Sequence, residues 1–378
     1  MDDQVEVPPL STCINIFDIE RVGKSRLNSK ALVYYTSTSE DSNSYNLNRS
    51  AADLVRFRPR LLRNVSQITT KTSILGHSST LPFFISPAAL AKLGHPSGEI
   101  CLAEAAGRHG IVYIVSTNSS CTYEEIAGST VPGQTLFFQL YVNKDHEKTK
   151  SLIQRVKKLG FQALVLTIDA PAPGKREADE RQKSVLASDL PEATSAATTG
   201  ADAKGLGDAL LGWTDSSLTW QDLKWIKAAA SPMKVVLKGI QTYEDAVLAA
   251  THGADGIFLS NHGGRQLDHA PSSLHTLYEL RKHAPGIFEK VEVLVDGGYR
   301  RGTDVLKALC LGATAVGLGR PFMYALSAYG TEGVSKAIEL LQDEVITGMK
   351  LLGARNVREL VPEMVNASLL AKEVQARL

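Results

Sequence analysis

The chain has 378 residues, 43% of them hydrophobic and 21% charged, and its 41 Lys and Arg against 40 Asp and Glu leave a formal net charge of +1. This composition excludes disorder and fibrous repeats and gives enough length for one large domain or two ordinary ones. The near-balance of charge supplies no global field to concentrate nucleic acid or an anionic membrane, so neither is an expected partner and any bound anion needs a local site.

The first residues, MDDQVEVPPL, form an acidic leader over 1–16 without the apolar core of a signal peptide. No later stretch approaches the roughly 18–20 apolar residues needed to span a bilayer, so neither a secreted nor a membrane-spanning chain is expected. Cys13, Cys101, Cys121 and Cys310 include no C-x-x-C pair. That argues against a zinc site or a dense disulfide framework, and a reducing compartment fits best.

From Leu81 onward, short apolar runs bounded by turn residues alternate with amphipathic or alanine-rich stretches. They are Leu81–Ser86, Ile111–Ser116, Leu136–Tyr141, Ala163–Asp169, Met233–Lys238, Gly256–Ser260, Val291–Asp296 and Ala315–Leu318, with starts 30, 25, 27, 70, 23, 35 and 24 residues apart. Strands apolar almost throughout need cover on both faces, and eight β-then-α units are the count of a closed (β/α)8 TIM barrel; an open doubly wound sheet is the alternative. Residues 1–378 therefore read as a single domain, with an N-terminal helical segment before residue 81 and one or two closing helices after Thr331.

The one long gap, 170–232, contains a run rich in Ala, Ser, Thr, Gly and Asp. It reads as a mobile loop. Because it leaves the C-terminal end of the fourth strand, it is either a lid over the catalytic face or a tolerated insertion.

A barrel builds its active site from the C-terminal ends of its strands, and here nearly every strand ends in a polar residue. In chain order these are Ser86, Ser116, Gln139 with Tyr141, Thr167 with Asp169, Lys238, Ser260 with His262, Asp296, and Gly319 with Arg320. The last two strands run into DGGYRRG and GLGRP, where glycines free backbone N–H groups and arginines add charge, making an anion cradle for a phosphorylated cofactor or substrate. No G-x-G-x-x-G follows the first strand and no P-loop occurs.

SNHGGRQLD, from Ser260 to Asp268, puts an imidazole and a guanidinium three residues apart on a glycine turn. That suits a general base beside a carboxylate clamp, against the alternative of a histidine satisfied within a turn. Asp169 is placed to hold that imidazole in one tautomer. Lys238 needs an anionic partner if it is buried, which a negatively charged ring or phosphate would supply.

SNHGGRQLD, LVDGGYRRGTDVLKALCLGA and VGLGRPFMYA together resemble the FMN-dependent 2-hydroxy acid oxidases and dehydrogenases, from about Phe17 to Leu360. The chain looks most like the flavin domain of the flavocytochrome lactate dehydrogenases, and with so short a leader their haem-carrying domain is not expected. The resemblance implies FMN as cofactor and an L-2-hydroxy acid as substrate. It implies His262 as base, Asp169 as its partner, Arg176 and Arg265 as the carboxylate grip, and Tyr34 and Tyr141 as further substrate contacts. Lys238 would lie beside flavin N1 and the C2 carbonyl. Pro87, Ala88, Ala89, Ser116, Gln139, Thr167 and Ser260 would surround the flavin, with Asp296, Gly298, Arg300, Gly319 and Arg320 around ribityl and phosphate.

The acceptor that reoxidises the flavin is oxygen or another molecule, and a homotetramer or octamer is expected by the same likeness. An FMN-binding barrel with lost or changed chemistry is the alternative.

The sequence departs from that family at three places. Thr38 stands where a glycine is usual, Ala88 where Pro-Thr-Ala is common, and Asn118 where relatives place tryptophan or leucine toward the substrate side chain. Asn118 is accordingly expected to favour a substrate larger or more polar than lactate, against the alternative that its amide is turned toward backbone and merely shapes the loop. The final Ala376-Arg377-Leu378 resembles a peroxisomal address, so a peroxisomal or cytoplasmic location is expected.

Overall fold

A computed structural model describes residues 7–182 and 206–374. The eight predicted runs are its barrel strands: β1 (Phe83–Ile85), β2 (Tyr113–Ser116), β3 (Leu136–Leu140), β4 (Ala163–Thr167), β5 (Lys234–Ile240), β6 (Gly256–Leu259), β7 (Glu292–Val295) and β8 (Ala315–Leu318). All neighbours are parallel, and β8 pairs with β1 to close the barrel. The chain is a (β/α)8 barrel.

Alternation along the strands sorts their side chains. Phe84, Ile114, Phe137, Val165, Val236, Phe258 and Leu294 point into the barrel and form one buried cluster, while Phe83, Val115, Phe138 and Leu166 pack outward in the main core. Each large side chain so buried contributes about 1.5–3 kcal/mol relative to exposure.

Ile74 and Leu75 join the inner cluster from a short hairpin, Thr72–Ile74 with His77–Ser79. The Leu75 amide donates to the Glu292 carboxylate at the start of β7 (2.7 Å). The hairpin therefore plugs the N-terminal mouth and leaves the C-terminal mouth for chemistry.

Three helices precede the barrel: α1 (Ile16–Arg26), α2 (Ser29–Thr36) and α3 (Asn43–Ser50). Asn15 and Asn28 cap the first two by accepting from the Asp18 and Ala31 amides. The closing helix starts earlier than Thr331, directly after β8. It runs Arg320–Leu352 and is kinked at Tyr329 and Gly330, so the expected closing segment also supplies residues to the barrel's mouth.

The 170–232 excursion is not loop throughout. It carries helices Glu177–Glu180, Leu206–Leu211 and Leu223–Ala230, and the last is the outer helix that leads into β5. Residues 183–205 within it, the first six of the leader and the Ala376-Arg377-Leu378 tail lie outside the described residues. The four cysteines are buried and free. Among the described residues no helix is long and apolar enough to cross a membrane, and no group of three or more His, Cys, Asp or Glu side chains is placed to hold a metal.

Candidate active site

The C-terminal mouth opens into a cleft whose empty space, its entrance included, is about 1170 Å³. Of the site residues expected from sequence, all but Asp169 and Ser260 line it. Those two stand one layer behind, each in contact with a lining residue.

His262 sits on a loop that begins one residue after Ser260, at the end of β6. Its backbone is left-handed (φ 60°), as are Gly263 and Gly264 after it (66° and 75°). Nδ1 lies 3.0 Å from Asp169 Oδ1 and Nε2 lies 3.2 Å from the Tyr141 hydroxyl. With its Nδ1–H donated to the carboxylate, the ring presents a bare Nε2 toward Tyr141 and the cleft.

Burial lowers the His262 pKa below its ordinary value; Asp169 opposes this, and Lys238 and Arg265 add to it. The imidazole is therefore neutral at neutral pH and able to take a proton. Burial alone would raise Asp169, but the His262 charge and hydrogen bond, helped by Lys238, bring it below the usual carboxylate value. A Cβ on Gly239, in the bulge of β5, would stand 2.6 Å from Asp169 Cβ and Cγ, so a glycine is what lets β5 pass so close.

Arg176 and Arg265 line the same cleft. Arg265 donates to the Tyr34 and Ser37 carbonyls (2.7 and 3.3 Å) and lies over the Tyr34 ring. Arg176 is buried and its Nε has no partner. Burial and the neighbouring Arg265 lower its pKa to about 10, which leaves it charged at neutral pH. Two guanidinium groups beside each other with an orphaned donor want an anion.

The cofactor side is a chain of buried polar groups. Lys238 Nζ donates to Ser260 Oγ (3.0 Å), Ser260 donates to Asp296 (2.5 Å), and Ser86 donates to the other Asp296 oxygen (3.1 Å). Lys238 thus has its anionic partner within the protein, Asp296 at 3.9 Å, where sequence reasoning looked for a ligand to provide one. Ser116 Oγ donates to Gln139 Oε1, and Gln139 Nε2 donates to Thr167.

After β7, Gly297 and Gly298 are both left-handed (92° and 90°), and a Cβ on Gly298 would stand 2.0 Å from the Asn48 carbonyl. Arg300 there is paired with Glu20 of α1, with 3.3 Å between Nε and the carboxylate. Arg320 spends its guanidinium on the Tyr35, Gly263 and Ser37 carbonyls. Both arginines therefore brace the cradle as well as charging it.

Asn118 lines the cleft as expected, and its side chain takes the second of the two roles expected for it, a contact to backbone. Its Nδ2 donates to the Leu210 carbonyl (3.3 Å), while Oδ1 is buried without a partner. The amide is turned onto the short helix Leu206–Leu211, and the side chains that this helix adds to the cleft are Leu210 and Leu211. No motif marked those leucines, nor Tyr45 and Asn48 of α3, which also line the cleft. Their places come from long-range packing, which local patterns do not encode.

Comparison with known proteins is consistent across sequence and structure. A family model described as FMN-dependent dehydrogenase matches residues 23–367. An L-lactate dehydrogenase (cytochrome) of Wickerhamomyces anomalus is 43% identical over 366 residues, covering 95% of this chain and 62% of that protein. Glycolate oxidase 3 of Arabidopsis thaliana is 40% identical, covering 92% and 94%. A solved flavocytochrome b2 variant superposes with a TM-score of 0.88 at 38% identity, covering 99% of this chain and 92% of that one. The chain thus spans less than two thirds of the length of the lactate dehydrogenase.

Proposed function

Because the chain belongs to the FMN-dependent dehydrogenase family, we propose that it oxidises an L-2-hydroxy acid to the 2-oxo acid, with oxygen or another acceptor taking the electrons onward. The observation that carries this reading is His262, backed by Asp169 at 3.0 Å and facing Tyr141, in one cleft with two guanidinium groups.

The residues present fit FMN. Gly297, Gly298 and Gly319 line the cleft, Gly297 and Gly298 packed so close to Asn48 that a side chain on either would press on it, with Arg300 and Arg320 beside them, a place for a phosphate. Pro87 to Ala89, Ser116, Gln139 and Thr167 line the cleft with the mixed apolar and hydrogen-bonding surface a flavin needs, and Lys238 in the same lining would stabilise negative charge on the ring. When bound, FMN supplies a two-electron acceptor.

The chain's own work is then positional and protonic. Arg176 and Arg265 grip the substrate carboxylate, and the grip orients C2 and its hydroxyl toward His262 Nε2. His262 takes the proton while Asp169 stabilises the imidazolium that forms. Tyr141 donates to the same region and fixes the substrate oxygen.

Purified protein should be yellow, release FMN rather than FAD, and bleach anaerobically with a 2-hydroxy acid from a panel. Readmission of air with a hydrogen peroxide assay tells oxygen from another acceptor. Folded protein that carries FMN and bleaches with none of the panel would overturn the reading.

A further inference from the structure

The loop that carries His262 is strained and nevertheless well held. His262 is not a glycine, yet it adopts φ 60°, and His269 at the far end of the same segment also adopts 60°. A left-handed conformation in such residues persists only where the surroundings over-determine it. Here Arg320 holds the Gly263 carbonyl and the Ser39 amide holds the Gly264 carbonyl, and helix α3 supports the rest of the segment.

Helix α3 touches the loop at both ends and in the middle. At its N-terminus, where Ser42 provides no side-chain cap, the buried Asp268 carboxylate accepts from the Asn43 amide (3.1 Å), the Asn43 side chain (3.0 Å) and the Ser44 amide (2.7 Å). One and a half turns on, Asn48 and Asn261 exchange two side-chain hydrogen bonds of 2.7 and 2.9 Å, both residues being buried. Asn261 further donates to the Pro271 carbonyl and accepts from the Gly264 amide. Between these points Gly264 lies so close to the helix that a Cβ on it would stand 2.7 Å from the Tyr45 nitrogen. The Asn48 carbonyl is also what Gly298 of the cradle packs against.

We propose that α3 is a splint for the catalytic loop, and that Asp268 and the Asn48–Asn261 amide pair are positioning residues that set His262 at its working height over the cradle. The helix measures the loop from end to end, with Asp268 fixing one end and Asn261 the other. Since Asn48 meets both the loop and the Gly297–Gly298 turn, the splint registers base against cofactor site, adding to the Ser260–Asp296 hydrogen bond that already joins the two strand ends. This rests on the reading of His262 as the base.

Burial alone would raise the Asp268 pKa, but the Ser44 and Asn43 amides and the Asn43 side chain outweigh it and lower it to about 2. The cap therefore holds across the whole range in which the base works. Asp268→Asn keeps the size but turns an NH₂ toward donors, and Asn48→Ser breaks the pair at the other end.

The test is a double-mutant cycle with His262→Gln, read as the anaerobic reduction rate per bound FMN. Each splint variant should lose ten-fold or more in the parent background and less than two-fold in His262→Gln, because positioning a base that is absent is worth nothing. An equal loss in both backgrounds, or no loss in the parent background, would overturn the proposal. Using two variants at opposite ends of the helix keeps the test open should one fail to fold. A failure of the underlying reading looks different: His262→Gln itself would then reduce as fast as the parent.

Discussion

Asp169 Oδ1 lies 3.0 Å from His262 Nδ1, and the carboxylate is almost sealed, its side chain 2% exposed, while its other oxygen has no partner. A buried carboxylate with one hydrogen bond is stable only beside positive charge. The contact is therefore worth most when the imidazole is protonated, which is the state after it has taken a proton.

His262→Gln should keep FMN and the yellow colour but lower the anaerobic reduction rate by about 10²- to 10⁴-fold. Asp169→Asn should show a smaller loss, because the base remains while the charge that stabilises imidazolium is withdrawn. Stopped-flow absorbance of the flavin band reads both. A wild-type rate in His262→Gln makes it a structural histidine.

The pH dependence follows from the same pair. The folded His262 pKa lies below its ordinary value of 6.5, burial being the chief cause, and the working form is the neutral one. The reduction rate should stay above half its plateau at pH 6.5 and fall only at lower pH. Since Asp169 is the group that pulls this pKa upward, Asp169→Asn should move the acid limb further down. A limb above 6.5 in the parent would contradict this order of effects.

Asn118→Leu removes the side-chain amide that donates to the Leu210 carbonyl. The expected result is a freer Leu206–Leu211 helix, so KM should rise several-fold across glycolate, L-lactate and aromatic 2-hydroxy acids. The preference among them is then set by Leu210 and Leu211 rather than by the amide. A switch in the substrate ranking with KM unchanged would instead return the amide to the substrate, as the sequence alone suggested.

What was legible in the sequence divides along a physical line. The eight strands are short and apolar, and all their starts but one pair lie 23–35 residues apart, so their period and the polar residue at each end could be read directly, and with them the places of His262, Lys238 and Asp296. The partners of those residues were not legible in the same way. Lys238 meets Asp296 through Ser260 because three adjacent strand ends converge. Asn118 meets Leu210, and Asp268 caps α3, across 92 and more than 220 residues of chain. Closed-barrel geometry makes these contacts, and no local pattern announces them.

Gly207 gives the sharpest single-site expectation. It stands in the helix Leu206–Leu211, its amide donates to the buried Asp179 carboxylate (2.8 Å), and a Cβ there would lie 2.2 Å from Arg176 Nη2 and 2.4 Å from Cζ. Nothing in its helical backbone forbids alanine; the obstacle is the guanidinium. Either the helix retreats, taking Leu210 and Leu211 with it, or Arg176 moves out of the place where its unpartnered Nε is ready for a carboxylate. In both cases Gly207→Ala should weaken substrate carboxylate binding while leaving the cradle on the far side intact. KM should rise ten-fold or more and binding of a non-reacting dicarboxylate such as oxalate should weaken in parallel, with FMN content and the cofactor's release temperature unchanged. Overpacking costs typically ~1–3 kcal/mol, and ~1.4 kcal/mol is a ten-fold change in affinity, so an effect of that size is what one methyl group can deliver. Unaltered oxalate binding in Gly207→Ala would mean that the added methyl group leaves the carboxylate grip undisturbed, whatever the fate of His262.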